Sequence, residues 1–573
     1  MTGAADSAIR RYHDGTKHHF HRFARSLGYL DWASQPVPFR SFSGAPEILL
    51  PRTSTRALVT YDRLFQTAGV ASLPVSIDTI GDVLRHALGL SAWKAFRESR
   101  PSTLRDTEDR PEPGELVERR WSLRVNPSSG NLHPTEAYVV AGPAPGLSDA
   151  CGVYHYAADR HSLEERCTFA GDAWRSAFGD SSPPCFFAVT SIHWREAWKY
   201  GERAFRYCQH DLGHAVAALR LAGALVGWRM TIAASWSQAD IAALTGVDRD
   251  LDYVDAEREE PGCLLVATPY GGRDFSRAGR VNGADGRERV AIIDAVRSGD
   301  WRGRANQLSE DHVEWTFIDD IARASEDPDR SVAALDVSDD RITQLPDRAL
   351  DARALLLRRR SALAFDGRSH LDLANFTGML SRVMPTAGPP WDALWWTPRV
   401  HLAIFVHRVE GVDPGLYVLV RDRAANERLR AVLERGFLWE RPAGALSSLP
   451  FYCLARGDCR RLAARVSCDQ EIAGDGFFSL GMLADFDCSL EEFGPSFYRH
   501  LYWETGVVGQ VLYLEAEAAG ARATGIGCFY DDPVHDVLGL RGHSFQSLYH
   551  FTVGMPVEDT RLTSEPGYEW EGN

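Results

Sequence analysis

The two halves of this 573-residue chain carry the same spacing of arginine, glycine and threonine. The pattern Arg-x6-Gly-x13-Gly occurs twice, and its second copy lies 293 residues after the first (499 − 206, 506 − 213, 520 − 227). A repeat of this length indicates duplicated domains rather than the short units of a solenoid. The residues concerned are Arg206, Gly213, Gly227 and Thr231 in the first half, and Arg499, Gly506, Gly520 and Thr524 in the second.

A second repeated motif divides the chain. Gly152 and Tyr154 in the first half correspond to Gly415 and Tyr417, at a shorter offset of 263 (415 − 152). The difference between the two offsets places a length difference in the linker and the intervening loops. We therefore predict an N-terminal extension (1–55), a first domain (56–270), a linker with short helices such as 312–324 (271–350) and a second domain (351–573). Two related domains are expected to pack about a pseudo-twofold axis, where ligand sites are common.

Apolar periodicity gives a coarse secondary structure for the first domain. Spacings of three, four and seven predict helices at 77–90 and 202–227, and apolar runs predict strands at 137–141 and 185–190. The charged segment 99–120 is predicted to be a surface loop, and prolines favour irregular chain in the N-terminal extension.

A polar turn lies directly before the strand at 137–141. The turn formers leave backbone N–H groups and short side chains available, and this suits a flat ligand with a polar edge. The alternative is an ordinary Ser/Gly turn with no ligand. The residues of the turn are Pro127, Ser128, Ser129, Gly130 and Asn131.

Four stretches of sequence together resemble the nitroreductase superfamily of flavoproteins. They read NPSSGNLHPTEAYVV, WKYGERAFRY, RRRSALAFDG and GARATGIGCFYDDPVHDVLGLRG. The resemblance covers most of 55–270 and 352–560. Within the superfamily the chain is most similar to the SagB/ThcOx type, whose members include azoline dehydrogenases. The resemblance implies an α+β fold with two tandem nitroreductase-like domains that form an intramolecular pseudo-dimer, with flavin mononucleotide (FMN) at the interface.

The resemblance also implies which residues bind FMN. The phosphate is expected to meet Arg359, Arg360 and Ser361, with Arg541 as a late basic residue, since forked cationic donors and a hydroxyl suit a phosphate. A solvated charge run is the alternative for this Arg-rich segment. The ring is expected to lie against Gly525, Ile526 and Gly527 of the second half and against the polar turn of the first. Because 384–388 (MPTAG) lacks the Ser-Ser pair and the first half lacks Arg-Arg-Ser, we predict one composite site.

Lys199 and Tyr200 match a Lys-Tyr pair that azoline dehydrogenases place near the flavin, and we predict that they are catalytic. The implied function is oxidation of a C–N-type bond in a peptide-derived or small-molecule substrate. Two alternatives stay open: an NAD(P)H-dependent reductase of nitro compounds or quinones, and a non-catalytic flavin-binding or scaffold protein. The first alternative shares both fold and cofactor.

Charge and composition limit the partners. A net charge of −15 argues against general nucleic-acid binding. No apolar run reaches the roughly 18 residues that suggest a membrane span, so we expect a cytoplasmic protein. The ten cysteines show no C-x-x-C spacing. His210 and His214 share a helix face, but we interpret them as interface contacts and predict no metal site. The pseudo-dimer could function as a monomer.

Overall fold

The computed structural model describes residues 2–52, 57–99, 116–179, 183–271, 286–330, 332 and 348–571. Within these ranges the chain is a mixed α+β protein. The helices are α1 (Thr2–Gly15), α2 (Ile77–Ala87), α3 (Asp172–Phe178), α4 (His193–Tyr200), α5 (Ala204–Leu225), α6 (Gln238–Thr245), α7 (Gly286–Arg297), α8 (Thr316–Ala324), α9 (Ala352–Arg358), α10 (Leu373–Arg382), α11 (Asn426–Val432), α12 (Arg460–Val466), α13 (Ile472–Asp475), α14 (Phe486–Phe493), α15 (Phe497–Ala518) and α16 (Asp531–Leu538).

The strands form two large sheets and two small ones. They are β1 (Phe42–Ser43), β2 (Glu47–Leu49), β3 (Leu90–Ser99), β4 (Leu116–Arg124), β5 (Thr135–Ala141), β6 (Cys151–Ala157), β7 (Ser162–Phe169), β8 (Cys185–Ser191), β9 (Trp228–Ile232), β10 (Glu260–Pro269), β11 (Asp300–Trp301), β12 (Arg304–Ala305), β13 (Val400–Val406), β14 (Gly415–Leu419), β15 (Phe451–Arg456), β16 (Phe478–Asp485), β17 (Arg522–Ile526), β18 (Phe545–Gly554) and β19 (Leu562–Glu565).

The two large sheets have the same strand order. The first runs β7-β6-β5-β8-β10-β9, extended by β11 and β2 on β7, and the second runs β15-β14-β13-β16-β18-β17. Neighbouring strands are antiparallel in both sheets. Equal order in two halves of one chain is what duplication of a domain produces, and it agrees with the repeat in the sequence.

Helices α5 and α15 pack against each other at the repeated glycines. A Cβ atom on Gly213 would lie 2.2 Å from the carbonyl oxygen of Trp503, and one on Gly506 would lie 2.3 Å from that of His210. His210 and Trp503 are themselves 293 residues apart (503 − 210), so the same contact is made twice with the halves exchanged. Glycine is required here because the helix backbones touch. The contact defines a pseudo-twofold axis.

Helix α1 lies where the two halves meet. Ile9 and Tyr12 are fully buried, and the Tyr12 ring packs against Phe205 and Tyr498. The irregular chain predicted for the N-terminal extension therefore begins only after Gly15. The sequence did not predict this helix, because the segment is polar in composition and the helix buries only one narrow apolar face.

The segment predicted as a loop at 99–120 is bounded by strands. Residues 100–115 lie outside the described residues, whereas β3 and β4 pair on either side of them. Strand β19, near the end of the second half, pairs with β3 and completes a three-stranded sheet. The chain of the second half therefore reaches over the first.

The segment between the two large sheets contains short helices. Helices α7 and α8 lie in the predicted linker, and α8 falls within the helix predicted at 312–324. Among the described helices, none is both long and apolar enough to cross a bilayer.

Candidate functional site

A cavity of about 470 Å³ lies between the two halves. Its lining includes all the predicted site residues except two. From the first half these are Pro127, Ser128, Ser129, Gly130, Asn131 and Tyr200, and from the second half Arg359, Arg360, Ser361, Gly525, Ile526 and Gly527. Segments that are far apart in sequence therefore form one composite site.

Lys199 and Arg541 do not line the cavity. The Lys199 side chain is exposed at the end of α4, with its Nζ 5.2 Å from the centre of the Tyr200 ring. The Arg541 side chain is 77% exposed and pairs with Asp536. It follows the left-handed Gly539 that ends α16. The late basic residue in the cavity is instead Arg522, which the sequence interpretation missed.

Basic side chains gather at one end of the cavity. Lys94, Arg359, Arg360 and Arg522 line it together with the carboxylates Glu558 and Asp559, and Glu558 pairs with Arg522 at 2.7 Å. Burial, together with repulsion from Arg359 and Arg522, lowers the pKa of Arg360 to about 10. Burial likewise lowers the pKa of Lys94, against the attraction of Glu558. Such mutual repulsion is relieved by a bound anion.

Arg359 is held in place but is not fully satisfied. Its Nε donates to the carbonyl of Val125 at 2.9 Å and its Nη2 to that of Arg124 at 3.1 Å. Its buried Nη1 has no hydrogen-bond partner within the part of the chain that the structure describes. A buried guanidinium N–H without a partner is costly, so this atom fits a ligand oxygen.

Tyr513 joins Ser361 to the Gly525–Gly527 loop. Its hydroxyl accepts a hydrogen bond from the N–H of Gly525 at 2.9 Å and lies 3.0 Å from the Ser361 hydroxyl. The Arg359 guanidinium lies over its ring, 5.0 Å from the centre. Sequence reasoning missed Tyr513 because it lies within the long core helix α15, where an aromatic residue is normally packing.

Asp211 of α5 holds the polar turn in place through hydrogen bonds. The N–H and the hydroxyl of Ser129 both donate to its carboxylate at 3.0 Å. The Asn131 side-chain amide donates to the carbonyl of Ser122 at 2.8 Å. The expectation that the turn's polar groups are free is therefore wrong for these atoms, because they satisfy buried protein groups.

Gly130 permits a close contact at the same turn. Its φ of 58° lies in the left-handed region. A Cβ atom there would lie 2.5 Å from the Tyr200 hydroxyl. Only glycine combines this conformation with this approach. Tyr200 is thereby placed against the turn inside the cavity.

Two buried carboxyl groups lie next to the turn. Burial raises the pKa of Asp211 to about 8, against the hydrogen bonds from Ser129. Burial and the neighbouring Asp211 raise the pKa of Glu196, whereas Lys199 lowers it. A carboxyl that holds a proton near neutral pH can act as an acid or a base in the cavity. Neither group was selected from the sequence as a catalytic residue.

The two histidines of α5 make polar contacts across the interface. His210 Nδ1 lies 2.7 Å from the Thr505 hydroxyl, and His214 Nδ1 lies 3.2 Å from Oε1 of Gln510. Both partners belong to α15. These contacts match the interpretation of the histidines as interface residues.

At the mirror-image position, protein groups engage the residues equivalent to Asp211 and Tyr513. Glu504 lies 293 residues after Asp211 (504 − 211) and accepts a hydrogen bond from Trp396 Nε1 at 3.1 Å. Arg220 lies 293 residues before Tyr513 (513 − 220), and its Nε and Nη2 donate to Asp392 at 2.8 and 2.7 Å. Asp392 and Trp396 belong to the segment 391–396 (WDALWW), whose tryptophans are buried. Asp392 and Trp396 of this segment therefore form hydrogen bonds with Arg220 and Glu504, the residues equivalent to Tyr513 and Asp211 of the cavity.

No family model and no curated protein matches this chain. Among solved structures, a proposed nitroreductase from Anabaena variabilis is similar over 96% of this chain and 99% of its own, with a TM-score of 0.64 and 20% identity. The chain therefore has the α+β nitroreductase fold, and the similarity includes both halves.

Two further solved structures match part of the chain. A proposed nitroreductase from Ralstonia eutropha matches over 40% of this chain and 98% of its own, at 16% identity and a TM-score of 0.26. The microcin synthetase McbBCD of Escherichia coli, in complex with truncated pro-MccB17, matches over 47% and 93%, at 16% identity and a TM-score of 0.25.

Proposed function

We propose that the chain is a flavin-dependent oxidoreductase that binds one FMN in the composite cavity. The proposal rests on two parts of the cavity. One is an end lined by cationic side chains, which we call the anion-binding end, and the other is the polar turn, whose backbone is in close contact with the cavity wall. The orphan Nη1 of Arg359 and the surplus of cations fit a phosphate. Gly130, Gly525 and Gly527 line the cavity, and each lets a tyrosine of the cavity wall approach the backbone closely: Tyr200, Tyr549 and Tyr207.

The two halves have different tasks in this proposal. The second half holds the phosphate through Arg359, Arg360, Ser361 and Arg522, and the first half positions the ring through the turn at Ser129. A bound flavin supplies reversible two-electron chemistry and can accept a hydride equivalent. The chain itself supplies binding, orientation and control of protons.

Proton control is assigned to Tyr200 and Asp211. Burial raises the pKa of Tyr200, so its phenol keeps its proton at neutral pH. Asp211 lines the cavity and exchanges a proton near neutral pH. Lys199, being exposed, acts through its charge on Glu196 rather than by contact with a substrate. Within the Lys-Tyr pair, Tyr200 is therefore the residue at the reacting centre.

The substrate proposal is narrower and rests on the sequence resemblance. The pair Lys199–Tyr200 favours oxidation of a C–N-type bond, as in conversion of an azoline to an azole, in a peptide-derived or small-molecule substrate. A reductase of nitro compounds or quinones would use the same fold and cofactor, with NAD(P)H as the electron donor. A flavin-binding scaffold would hold FMN and turn over neither substrate.

One series of measurements tests these assignments. The full chain is titrated with FMN and with riboflavin, which lacks the phosphate, and we expect FMN to bind at least about tenfold more tightly because of the cationic end. The FMN-loaded chain is then mixed without oxygen with an azoline-containing peptide or with NADPH. We expect the peptide, and not NADPH, to bleach the flavin absorbance.

Each contrary outcome has a distinct meaning. Equal affinity for FMN and riboflavin would remove the phosphate assignment. Bleaching by NADPH followed by reduction of a nitro compound would replace the azoline proposal with the reductase. Tight FMN binding without any reduction would indicate the scaffold.

A further inference from the structure

Two cysteines and a histidine meet beside the cavity. The sulfur atoms of Cys468 and Cys528 lie 2.8 Å apart, and the Cys528 sulfur lies 3.6 Å from Nδ1 of His18. Cys528 directly follows the Gly525–Gly527 loop and lines the cavity, and its side chain is half-buried. The thiols belong to segments that are far apart in sequence, so cysteine spacing could not reveal the pair.

The protein holds these two segments together without a covalent bond. The side-chain amide of Gln470 donates to the carbonyl of Cys528 at 2.9 Å and to that of Ser467 at 2.8 Å. Cys468 and Asp469 both have a positive φ, 58° and 56°, which is unusual for residues with side chains. The tight turn that results presents the Cys468 thiol to Cys528.

Cys528 differs electrostatically from the other cysteines. The hydrogen bond between the two thiols lowers the pKa of Cys528, and contributions from His18 and Arg203 lower it further against the effect of burial. The same hydrogen bond raises the pKa of Cys468. Burial raises the pKa of each of the remaining eight cysteines, all of them in described parts of the chain: Cys151, Cys167, Cys185, Cys208, Cys263, Cys453, Cys459 and Cys488.

We propose that Cys528 is a reactive thiol which, with Cys468 as its resolving partner, undergoes exchange with small-molecule disulfides. A thiolate that is accessible and adjacent to a second thiol is the usual arrangement of a redox-active pair. This site is distinct from the groups assigned to FMN and does not depend on the flavin.

The exchange balances in two steps. The Cys528 thiolate attacks one sulfur of the small disulfide, a mixed disulfide forms, and the other half leaves as a thiolate. The Cys468 thiol then loses its proton and attacks the Cys528 sulfur, which releases the second half as a thiol after it takes up that proton. The two cysteines are oxidised to one disulfide, and the small disulfide is reduced to two thiols.

The product would connect two walls of the cavity. The disulfide would link the residue that follows Gly527 to the turn that carries Gln470, and both Cys528 and Gln470 line the cavity. Oxidation would therefore restrain the loop that the proposed function places against the flavin ring.

The test uses the full chain, reduced and free of flavin. At about pH 6 iodoacetamide should alkylate Cys528 on the order of ten times faster than Cys488, a half-buried cysteine on α14 that serves as the internal control. Peptide mapping by mass spectrometry gives both rates. Incubation with oxidised glutathione should remove two hydrogens from the intact mass and protect both cysteines of the pair.

Variants separate the two steps. Cys468→Ser should stop the reaction at a stable mixed disulfide, seen as the added mass of one glutathione on Cys528, whereas Cys488→Ser should behave like the wild type. Equal alkylation rates for Cys528 and Cys488 in the wild type would overturn the proposal. So would protection of both thiols by a bound metal that a chelator removes, because His18, Cys468 and Cys528 would then be ligands.

Discussion

Asp211 and Glu504 occupy equivalent positions on two helices related by the pseudo-twofold axis, yet their surroundings differ. Asp211 accepts hydrogen bonds from Ser129 and lines the cavity. Glu504 accepts hydrogen bonds from Trp396 Nε1 and from the N–H groups of Arg399 and Val400. The first position is open to a ligand, and protein groups satisfy the second.

The same contrast applies to the second pair of equivalent positions. Tyr513 connects Ser361 to Gly525 at the cavity, whereas Arg220 is engaged by Asp392, Tyr270 and the carbonyl of Trp228. Two identical subunits must keep both sites alike, since one sequence builds both. A fused pair is free to retain one site and use the other position for packing.

The largest effect is expected from Trp396→Ala. The Trp396 side chain is buried and donates to Glu504, so its loss leaves a cavity and removes a hydrogen bond to a buried carboxylate. The free energy of unfolding should fall by about 3–5 kcal/mol. Urea unfolding measures it. Flavin content should not rise, and a second bound FMN would show that the tryptophan alone keeps the mirror position closed.

The next effect is on cofactor affinity. Arg360→Ala removes one cation from the anion-binding end and should weaken FMN binding by about 10–100-fold, as loss of a charge-assisted contact does. Fluorescence titration measures the dissociation constant. Arg541→Ala is the matched control, since that side chain is exposed outside the cavity, and it should change affinity by less than about twofold. Equal losses in both variants would contradict the placement of the phosphate.

A pH dependence should distinguish Asp211 from an ordinary carboxylate. Its pKa is raised to about 8 in the folded chain, so the folded state keeps a proton that the unfolded chain releases above about pH 4. The free energy of unfolding of the ligand-free chain should therefore fall as the pH rises from about 4 to about 8. In the Asp211→Asn variant this fall should be smaller by about 1–3 kcal/mol. Part of the fall should remain, because Glu196 titrates together with Asp211 in the wild type. Identical slopes for the variant and the wild type would exclude the shifted carboxyl.

The smallest effect is expected at the exposed lysine. Lys199→Ala should leave FMN affinity within about twofold and reduce turnover by less than about tenfold, because the residue acts only through its charge on Glu196. Tyr200→Phe, which changes a residue inside the cavity, should reduce turnover more. Reduction assays on the two variants compare them directly. Complete loss of turnover in Lys199→Ala alone, with flavin retained, would restore the lysine as the catalytic residue.

Much of the architecture could be predicted from local patterns. The repeat around Gly213 and Gly506 predicted two related halves, because close helix contact demands glycine at both positions. The turn at 127–131 and the segment 359–361 predicted which stretches meet, because each carries its own chemistry in a few adjacent residues. The structure brings both to one cavity.

Other parts of the site depend on long-range topology. Lys94 lies on a strand that pairs with β4 and with β19 from the far end of the chain. The role of Asp211 emerges only when α5 packs beneath the turn. Arg541 was selected by its place in a motif, but sequence position does not fix the direction of a side chain after a left-handed glycine. Arg522, on β17, was the basic residue that pointed inward.

The stoichiometry of bound flavin tests the central claim most directly. The full chain is saturated with FMN, freed of excess ligand and denatured, and the released flavin is measured against protein concentration. The contrast between the two positions predicts one FMN per chain. Two per chain, or none at saturation, would contradict it.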